Sequence, residues 1–493
     1  MAGMASAGIV SYGAYIPLMR LPLSVIAGKA PKEGGPEKAV AWMDEDSVTL
    51  GVAAAQNCLQ GFDRSRIDAV IFATTTYAFA EKQAAAIIAK ALNLKGDVRT
   101  ADIAHSTRAG TIALQSAIDA VKAGSAARVL VIAADCRMGA PGSGFESNSG
   151  DAAAAFLIGN EGVVATLDNA CAHTTEIIDI WRKQGDRFVH SWEDRFVNVH
   201  GYIDNTVAAI KGLLAKSGKT VADISKAALY APEARSLGEM SKAAGIAKEQ
   251  IQDNLFGKVG NAGAAFAPLL LISALEASKA GEKILVANYG DGADALLFTV
   301  NGTRAKADNY RNVAQLLARR KVVDAYGKYM KARGLTITEY AEVDEPGISA
   351  TVHYRERDED LSFEGQVCSH CGTHQFPKGR ICVRCKTKDQ WTPACYSDLT
   401  GKVVTYTLDA FFPSPEPPTA VGIVEVINSD GSAGPRIHMQ VCETSAKDIA
   451  IDLPVQFTFR CIHRVGLRPN YFWKSVPTTS ASVSEKKSEG AAA

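Results

Sequence analysis

Fully apolar runs alternate with segments of helical spacing through the first 300 residues of the chain. IDAVIFATTTY (67–77) and RVLVIAAD (128–135) are apolar along most of their length, the pattern of a strand covered on both faces. EKQAAAIIAKALNL (81–94) and AGTIALQSAIDAVKAG (109–124) instead space their apolar residues as a helix does. The same order then recurs: ISKAALYAPEA (224–234), SLGEMSKAAGI (236–246), AGAAFAPLLLISALEASKAG (262–281) and KILVANYGDGADALLFTV (283–300). Two such halves predict a duplicated α/β fold in five layers, with parallel sheets covered on both faces and the two small-residue helices together at the centre, where Ala and Gly permit close backbone approach. Two unrelated doubly wound domains would give a similar alternation, but the repeated order favours duplication.

Beyond this block the pattern changes. RNVAQLLARRKVVDAYGKYMKARG (311–334) reads as a basic helical stretch packed on the first domain, here bounded at 1–341. The acidic segment 342–365 lacks a period and reads as a connector. Residues 366–395 hold two CxxC pairs, and 396–476 carry short alternating runs, GKVVTYTLDAF (401–411), AVGIVEVIN (420–428), RIHMQV (436–441) and PVQFTFRCI (454–462), separated by turn residues. That spacing predicts a small antiparallel, OB-like barrel. The Ser/Lys/Glu/Ala-rich end, 477–493, reads as a disordered tail.

Lys+Arg and Asp+Glu both total 53, so no polyanion-binding surface dominates, and nucleic acid is not the expected partner despite the OB-like pattern. Neither a leader peptide nor a membrane-length apolar run is evident, and a soluble cytoplasmic protein is expected. Of ten cysteines, Cys368, Cys371, Cys382 and Cys385 form CxxC, ten residues, CxxC. Four thiolates at this spacing can close on one ion, which points to structural zinc, with iron as the rival. His370 and His374 then read as loop residues, and the scattered cysteines, Cys136 and Cys171 among them, as buried thiols without disulfides.

TTTYAFAEKQAAAIIAKALNL (74–94), HSTRAGT (105–111), SGDAAAAFLIG (149–159), WRKQGDRFVHSWEDRF (181–196) and VGNAGAAFAP (259–268) make the first block resemble hydroxymethylglutaryl-CoA synthases and, more distantly, ketoacyl-ACP synthase III of the thiolase superfamily. The CxxC block and barrel, ending in YFWKSVP (471–477), resemble the ribbon-plus-OB proteins that accompany thiolase-type enzymes. The resemblance implies a thiolase-like fold, an acyl-CoA substrate, a homodimer and a possible thiolase-pathway partner subunit.

It also implies departures at the reactive positions. The family's nucleophilic Cys falls on Thr107, with Ser106 beside it; its general-base Glu falls on Thr75, and its catalytic His on Tyr230. Asn261, which in relatives orients the thioester carbonyl, persists, as does the Gly-rich floor YGDGADA (289–295) with Gly290 and Gly292. Ser106 and Thr107 could act as nucleophiles if a base lay beside them, or simply cap the helix that follows. Tyr230 could serve as an acid or fill the core. His190 and His200 sit in the polar loop VHSWEDRFVNVHGY (189–202), which in relatives borders the acyl pocket, and are secondary candidates. Three functions follow: an aldol or retro-aldol enzyme without a cysteinyl intermediate, an acyltransferase using Ser106 or Thr107, or a non-catalytic scaffold that binds acyl-CoA for a partner thiolase.

Overall fold

The computed structural model describes residues 7–305, 307–336, 350–412, 414–463 and 469–478. The chain divides into two compact units, Met1–Val343 and Asp344–Ala493.

The N-terminal unit is built on one nine-stranded sheet. Its strands are β1 (Gly8–Tyr15), β2 (Ala69–Thr74), β3 (Arg99–Ala104), β4 (Val129–Asp135), β5 (Ala152–Gly159), β6 (Ala165–Thr174), β7 (Lys226–Leu229), β8 (Lys283–Tyr289) and β9 (Gly292–Val300). They lie in the order β7-β8-β9-β6-β1-β5-β4-β2-β3. β1, β4 and β5 are buried along their whole length, as their largely apolar sequences allow.

The sheet is mixed rather than parallel. Only β2–β3, β2–β4 and β7–β8 pair in parallel, and the other pairs are antiparallel. The run 283–300, apolar at both ends, is two strands and not one. Gly290 and Asp291 alone join β8 to β9, far too short for the crossover a parallel pair needs, so β9 returns antiparallel. Gly290, Asp291 and Gly292 take φ of 159°, 51° and 105° there, which an ordinary strand does not adopt.

Helices α1 (Ser47–Cys58), α2 (Ala84–Ala91), α3 (Ala109–Lys122), α4 (Asp204–Ser217), α5 (Ala234–Ala244) and α6 (Phe266–Ala277) cover this sheet. The small residues at the start of α3 bring two backbones together: a Cβ at Gly110 would lie 2.2 Å from the Ala264 carbonyl oxygen and 2.8 Å from Pro268 Cγ. The two halves are thus joined at their small-residue helices, as their composition suggests. Residues 311–334 are not one helix. Val313–Ala318 and Tyr326–Ala332 are helical, and between them Lys321–Val322 pairs with Met19–Arg20 while Val323 is buried.

In the C-terminal unit, part of the segment read as a connector is helix α7 (Ala350–Ser362), followed directly by β10 (Glu364–Cys368). Its hold on the core lies at one end: Leu361 and Phe363 are buried, Phe363 stacks on Trp473 at 5.9 Å, and the Trp473 indole N–H donates to the Leu361 carbonyl at 3.0 Å. Positions 342–349 lie outside the described residues. β10 pairs with β11 (His374–Gln375) and β12 (Trp391–Cys395) in a small antiparallel sheet. A second, five-stranded antiparallel sheet holds β13 (Thr400–Asp409), β14 (Thr419–Ile427), β15 (Ala433–Gln440), β16 (Pro454–His463) and β17 (Asn470–Pro477), in the order β15-β14-β13-β16-β17. It curls until its ends meet, through a bridge between Val441 and Ser475. Of the expected tail, Pro477 ends β17 and Thr478 donates to the Pro454 carbonyl, while 479–493 lie outside the described residues.

Candidate active site

The turn into α3 is fastened to the β8–β9 tip by consecutive side chains. Thr107 Oγ1 donates to the Tyr289 carbonyl, Ser106 Oγ donates to the Gly290 carbonyl at 3.1 Å, and Arg108 Nη1 donates to the Asp291 carbonyl at 3.1 Å. Arg108 Nη2 also reaches Asp294 Oδ1 at 2.7 Å, and Thr111 Oγ1 donates to the other Asp294 oxygen at 2.7 Å. Asn288 Nδ2 completes the seam by donating to the Thr107 carbonyl at 3.0 Å. The two hydroxyls therefore do not cap the helix by accepting from its free amides, apart from a long contact of 3.3 Å from the Arg108 amide to Ser106 Oγ.

Glycine is needed at the tip for space. A Cβ on Gly290 would lie 2.5 Å from Thr107 Oγ1 and 2.6 Å from Ser106 Oγ, and one on Gly292 would lie 2.1 Å from the His173 carbonyl oxygen. Both glycines thus serve the approach of protein backbone and side chains.

Thr75 is held by a residue the sequence reading passed over. Asp135, fully buried at the end of β4, accepts five hydrogen bonds of 2.7–2.9 Å: from the hydroxyls of Thr74, Thr75 and Thr76 and from the amides of Thr75 and Ala264. The only signal for it was an acidic residue closing an otherwise apolar strand. Asn261 is buried too; its Nδ2 donates to the Ala231 carbonyl at 2.8 Å, and its Oδ1 accepts from the Gly263 amide at 2.9 Å. A planar amide nitrogen has two hydrogens, so one donor of Asn261 is left for a ligand.

Tyr230 lies in an aromatic cluster, with Phe266 at 5.9 Å edge-on and Tyr202 and Tyr289 both at 6.4 Å. The Tyr202 hydroxyl donates to the Tyr230 carbonyl at 2.7 Å, whereas the Tyr230 hydroxyl has no hydrogen-bond partner among the described residues. The Tyr289 hydroxyl donates to Asp179; burial raises the Asp179 carboxyl, and burial together with that carboxylate raises the Tyr289 phenol. One connected set results. Thr107 touches Tyr289, Tyr289 packs on Tyr230, Ala231 holds Asn261, and the Gly263–Ala264 backbone leads through Asp135 to Thr75.

His190 and His200 stand apart from this set. Each pairs with a carboxylate four residues away, His190 with Asp186 at 3.3 Å and His200 with Asp204 at 2.9 Å, and both are exposed. His200 lines an open groove with Glu193, Asp194, Arg195, Phe196 and Val199. Closer to Thr75 lies Arg182, whose Nη2 donates to the Thr75 carbonyl. Burial, and then the nearby Arg137, lower its guanidinium pKa from the ordinary value.

In the C-terminal unit the Sγ atoms of Cys368, Cys371, Cys382 and Cys385 all lie within 4.8 Å of one another. Two matching turns deliver them. The amides of Gly372 and Lys386 donate back to the carbonyls of Cys368 and Cys382, and both residues adopt positive φ, 68° and 66°. Four convergent thiols without a carboxylate form a donor set suited to a soft ion in tetrahedral geometry.

No protein-family model matches the chain. Among solved structures, a hydroxymethylglutaryl-CoA synthase complexed with CoA covers 69% of the chain and 93% of its own length, with a TM-score of 0.60 and 22% identity. A 3-oxoacyl-(acyl carrier protein) synthase III from Pseudomonas aeruginosa matches 61% of the chain and all of its own, with a TM-score of 0.55 and 20% identity. The fold is the one these synthases share, and with the 33% identical relative that follows it makes the chain an enzyme of the thiolase superfamily. A hydroxymethylglutaryl-CoA synthase of Pyrococcus furiosus is 33% identical over 343 residues, which is 68% of this chain and 97% of that protein. The chain belongs to the hydroxymethylglutaryl-CoA synthase family.

Proposed function

We propose that this chain makes or breaks a carbon–carbon bond in an acyl-CoA thioester by aldol-type chemistry, without a covalent acyl intermediate. The observation that carries this reading is the fate of the hydroxyls at the family's nucleophile position. Thr107 and Ser106 spend their protons on the Tyr289 and Gly290 carbonyls, and a carbonyl oxygen cannot take a proton to free an alkoxide. What remains suits enolate chemistry: one spare amide hydrogen on Asn261 to stabilise a thioester oxyanion, and the Tyr230 hydroxyl to exchange a proton with the substrate hydroxyl. In the cleavage direction the Tyr230 oxygen, deprotonated for the step, takes the C3 hydroxyl proton, the C2–C3 bond breaks, its electron pair passes to the thioester as an enolate, and the proton held by Tyr230 is then returned to C2.

The acyl-CoA class is supported by the relatives, whose names are those of CoA thioester enzymes. The four-cysteine cluster supports a structural zinc ion, which would tie the two CxxC turns together and take no part in the reaction. On this reading 366–395 form a zinc ribbon and 396–476 an OB-like barrel. Among the described residues β3 pairs on one side only, with β2, and that edge supports a homodimer. Ten cysteines in the thiol form support a reducing, cytoplasmic setting.

The test is intact-mass measurement of the full chain after incubation with a panel of acyl-CoAs. Release of an aldehyde or ketone with a shortened acyl-CoA and no protein adduct is the expected result. An acyl ester mapped to Thr107 or Ser106 would restore acyl transfer, and binding with neither outcome would favour the scaffold.

A further inference from the structure

Between β4 and β5 the chain leaves the sheet over residues 136–151 and returns to it. Asp135, just before this excursion, holds Thr75, and the end of the excursion holds Asn261. The Asn261 amide donates to the Asn148 carbonyl at 2.7 Å, and the Gly150 amide donates to the Asn261 carbonyl at 2.9 Å. The two backbones touch: a Cβ on Gly150 would lie 1.8 Å from the Val259 carbonyl oxygen. Residues 148–150 therefore set where the Asn261 backbone lies, while Ala231 and Gly263 set its side chain.

The neck of the excursion is closed by a residue far away in sequence. Arg333 follows the helix Tyr326–Ala332. Its Nη2 donates to the carbonyl of Cys136, the first residue of the excursion, at 2.9 Å, and its Nη1 donates to the carboxylate of Asp151, the last. Nη1 also reaches the Ala41 carbonyl at 3.3 Å, and the Ala41 amide donates to the same Asp151 oxygen at 2.6 Å. The pair is out of solvent, with side chains 8% and 3% exposed. The β4–β5 ladder ends at Asp135 and Ala152, so the contact lies just beyond its last pair.

The middle of the excursion is tied down as well. Glu146 is fully buried; it accepts from the Gly142 amide at 2.7 Å and from the Tyr326 hydroxyl at 2.6 Å, and its carbonyl accepts from Lys38 Nζ. The formal charges of Lys38 and Arg333 cancel those of Glu146 and Asp151, so this cluster is no ion site. What it fixes is the path of residues 136–151.

We infer that Arg333 is a positioning residue for Asn261: by clasping Cys136 to Asp151 it holds Asn148 and Gly150, and through them the backbone that aims the spare Asn261 amide hydrogen. The inference rests on the acyl-CoA reading above and adds to it a residue that touches no substrate. A donor contributes to catalysis only where the developing oxyanion will be, and a shift of one ångström costs about a hundredfold in rate. An arginine suits the task because its planar fork serves two acceptors in fixed directions.

The test combines hydrogen exchange with a double-mutant cycle on the full chain. In Arg333→Gln the amides of Gly150 and Asn261 should exchange at least about tenfold faster, while those of β8 keep their wild-type rates. Turnover of an acyl-CoA that the wild-type chain cleaves should fall about a hundredfold in kcat with KM within about threefold. Added to Asn261→Ala, the same substitution should cost less than about threefold more, because both act on one donor. Arg333→Lys should recover part of the loss. Should Arg333→Gln not fold, the same measurements on Arg333→Lys decide, since that variant keeps the charge opposite Asp151 and loses only the fork. Unchanged exchange at Gly150 and Asn261 would overturn the clasp. So would losses that multiply in the double variant, or a raised KM at constant kcat, which would assign Arg333 to ligand binding. A wild-type chain that cleaves no acyl-CoA would remove the aldol reading, and the exchange rates would then judge the clasp by themselves.

Discussion

Thr107 donates its hydroxyl hydrogen to the backbone carbonyl of Tyr289, so the side chain at the turn into α3 serves as a fastening. Substitution then reads differently from the loss of a nucleophile. Thr107→Ala should cost about 1 kcal/mol of stability, the net worth of one hydrogen bond, and reduce turnover by less than tenfold. A fall of a thousandfold or more in kcat, with the fold intact by circular dichroism, would show that the hydroxyl reacts.

Asp135 should be far less tolerant. An Asn in its place presents two donors to a ring of hydroxyl and amide donors, and the Thr75 turn and the Ala264 amide would lose partners together. Asp135→Asn is expected to destabilise the chain by about 2–4 kcal/mol in urea unfolding, given the cost of leaving buried donors unmet. A change below about 0.5 kcal/mol, the range of an ordinary surface substitution, would refute the hub assigned to it.

Asp360, on α7, has its carboxyl raised to about 6, first by burial and then by Glu356 and Glu359. Its folded value lies above the unfolded 3.8, so the fold prefers the protonated form. Stability is therefore lost as pH rises from about 4 to about 6, and the full penalty is present at neutral pH. Asp360→Asn should raise stability at pH 7 by roughly 1 kcal/mol once solvent screening is allowed for, and the gain should vanish below pH 4. A gain of equal size at pH 3.5 would point to helix propensity instead.

The cysteine cluster predicts one zinc ion per chain by atomic spectroscopy. Stripping it with a chelator, or replacing Cys371 and Cys385 together by Ser, should lower the unfolding temperature of the full chain, since the ion closes two turns that have little core of their own. An unchanged unfolding temperature with no metal found would remove the ribbon assignment.

Much of the fold was legible because its strands are buried on both faces: VLVIAAD and AVIFAT admit few other readings. The β8–β9 turn was hidden, since two apolar strands separated by Gly-Asp look like one run until the positive φ values are seen. Helix α7 was hidden for another reason: its attachment rests on Leu361 and Phe363 at one end, so no stripe appears along it. Within the site, alignment drew Thr75, Thr107, Tyr230 and Asn261 together, and the structure connects them. Asp135 escaped notice because a charged residue at a strand end is ordinarily solvated, and only the surroundings reveal that it is saturated with donors.

The seam between residues 106–108 and the 289–291 tip also limits what could be built at position 107. Thr107→Cys would surrender a strong hydroxyl donor while the Ser106 and Arg108 contacts and the crowding at Gly290 stayed in place. A thiol nucleophile at this turn therefore calls for several substitutions at once, because each contact of the seam holds its neighbours in their present geometry.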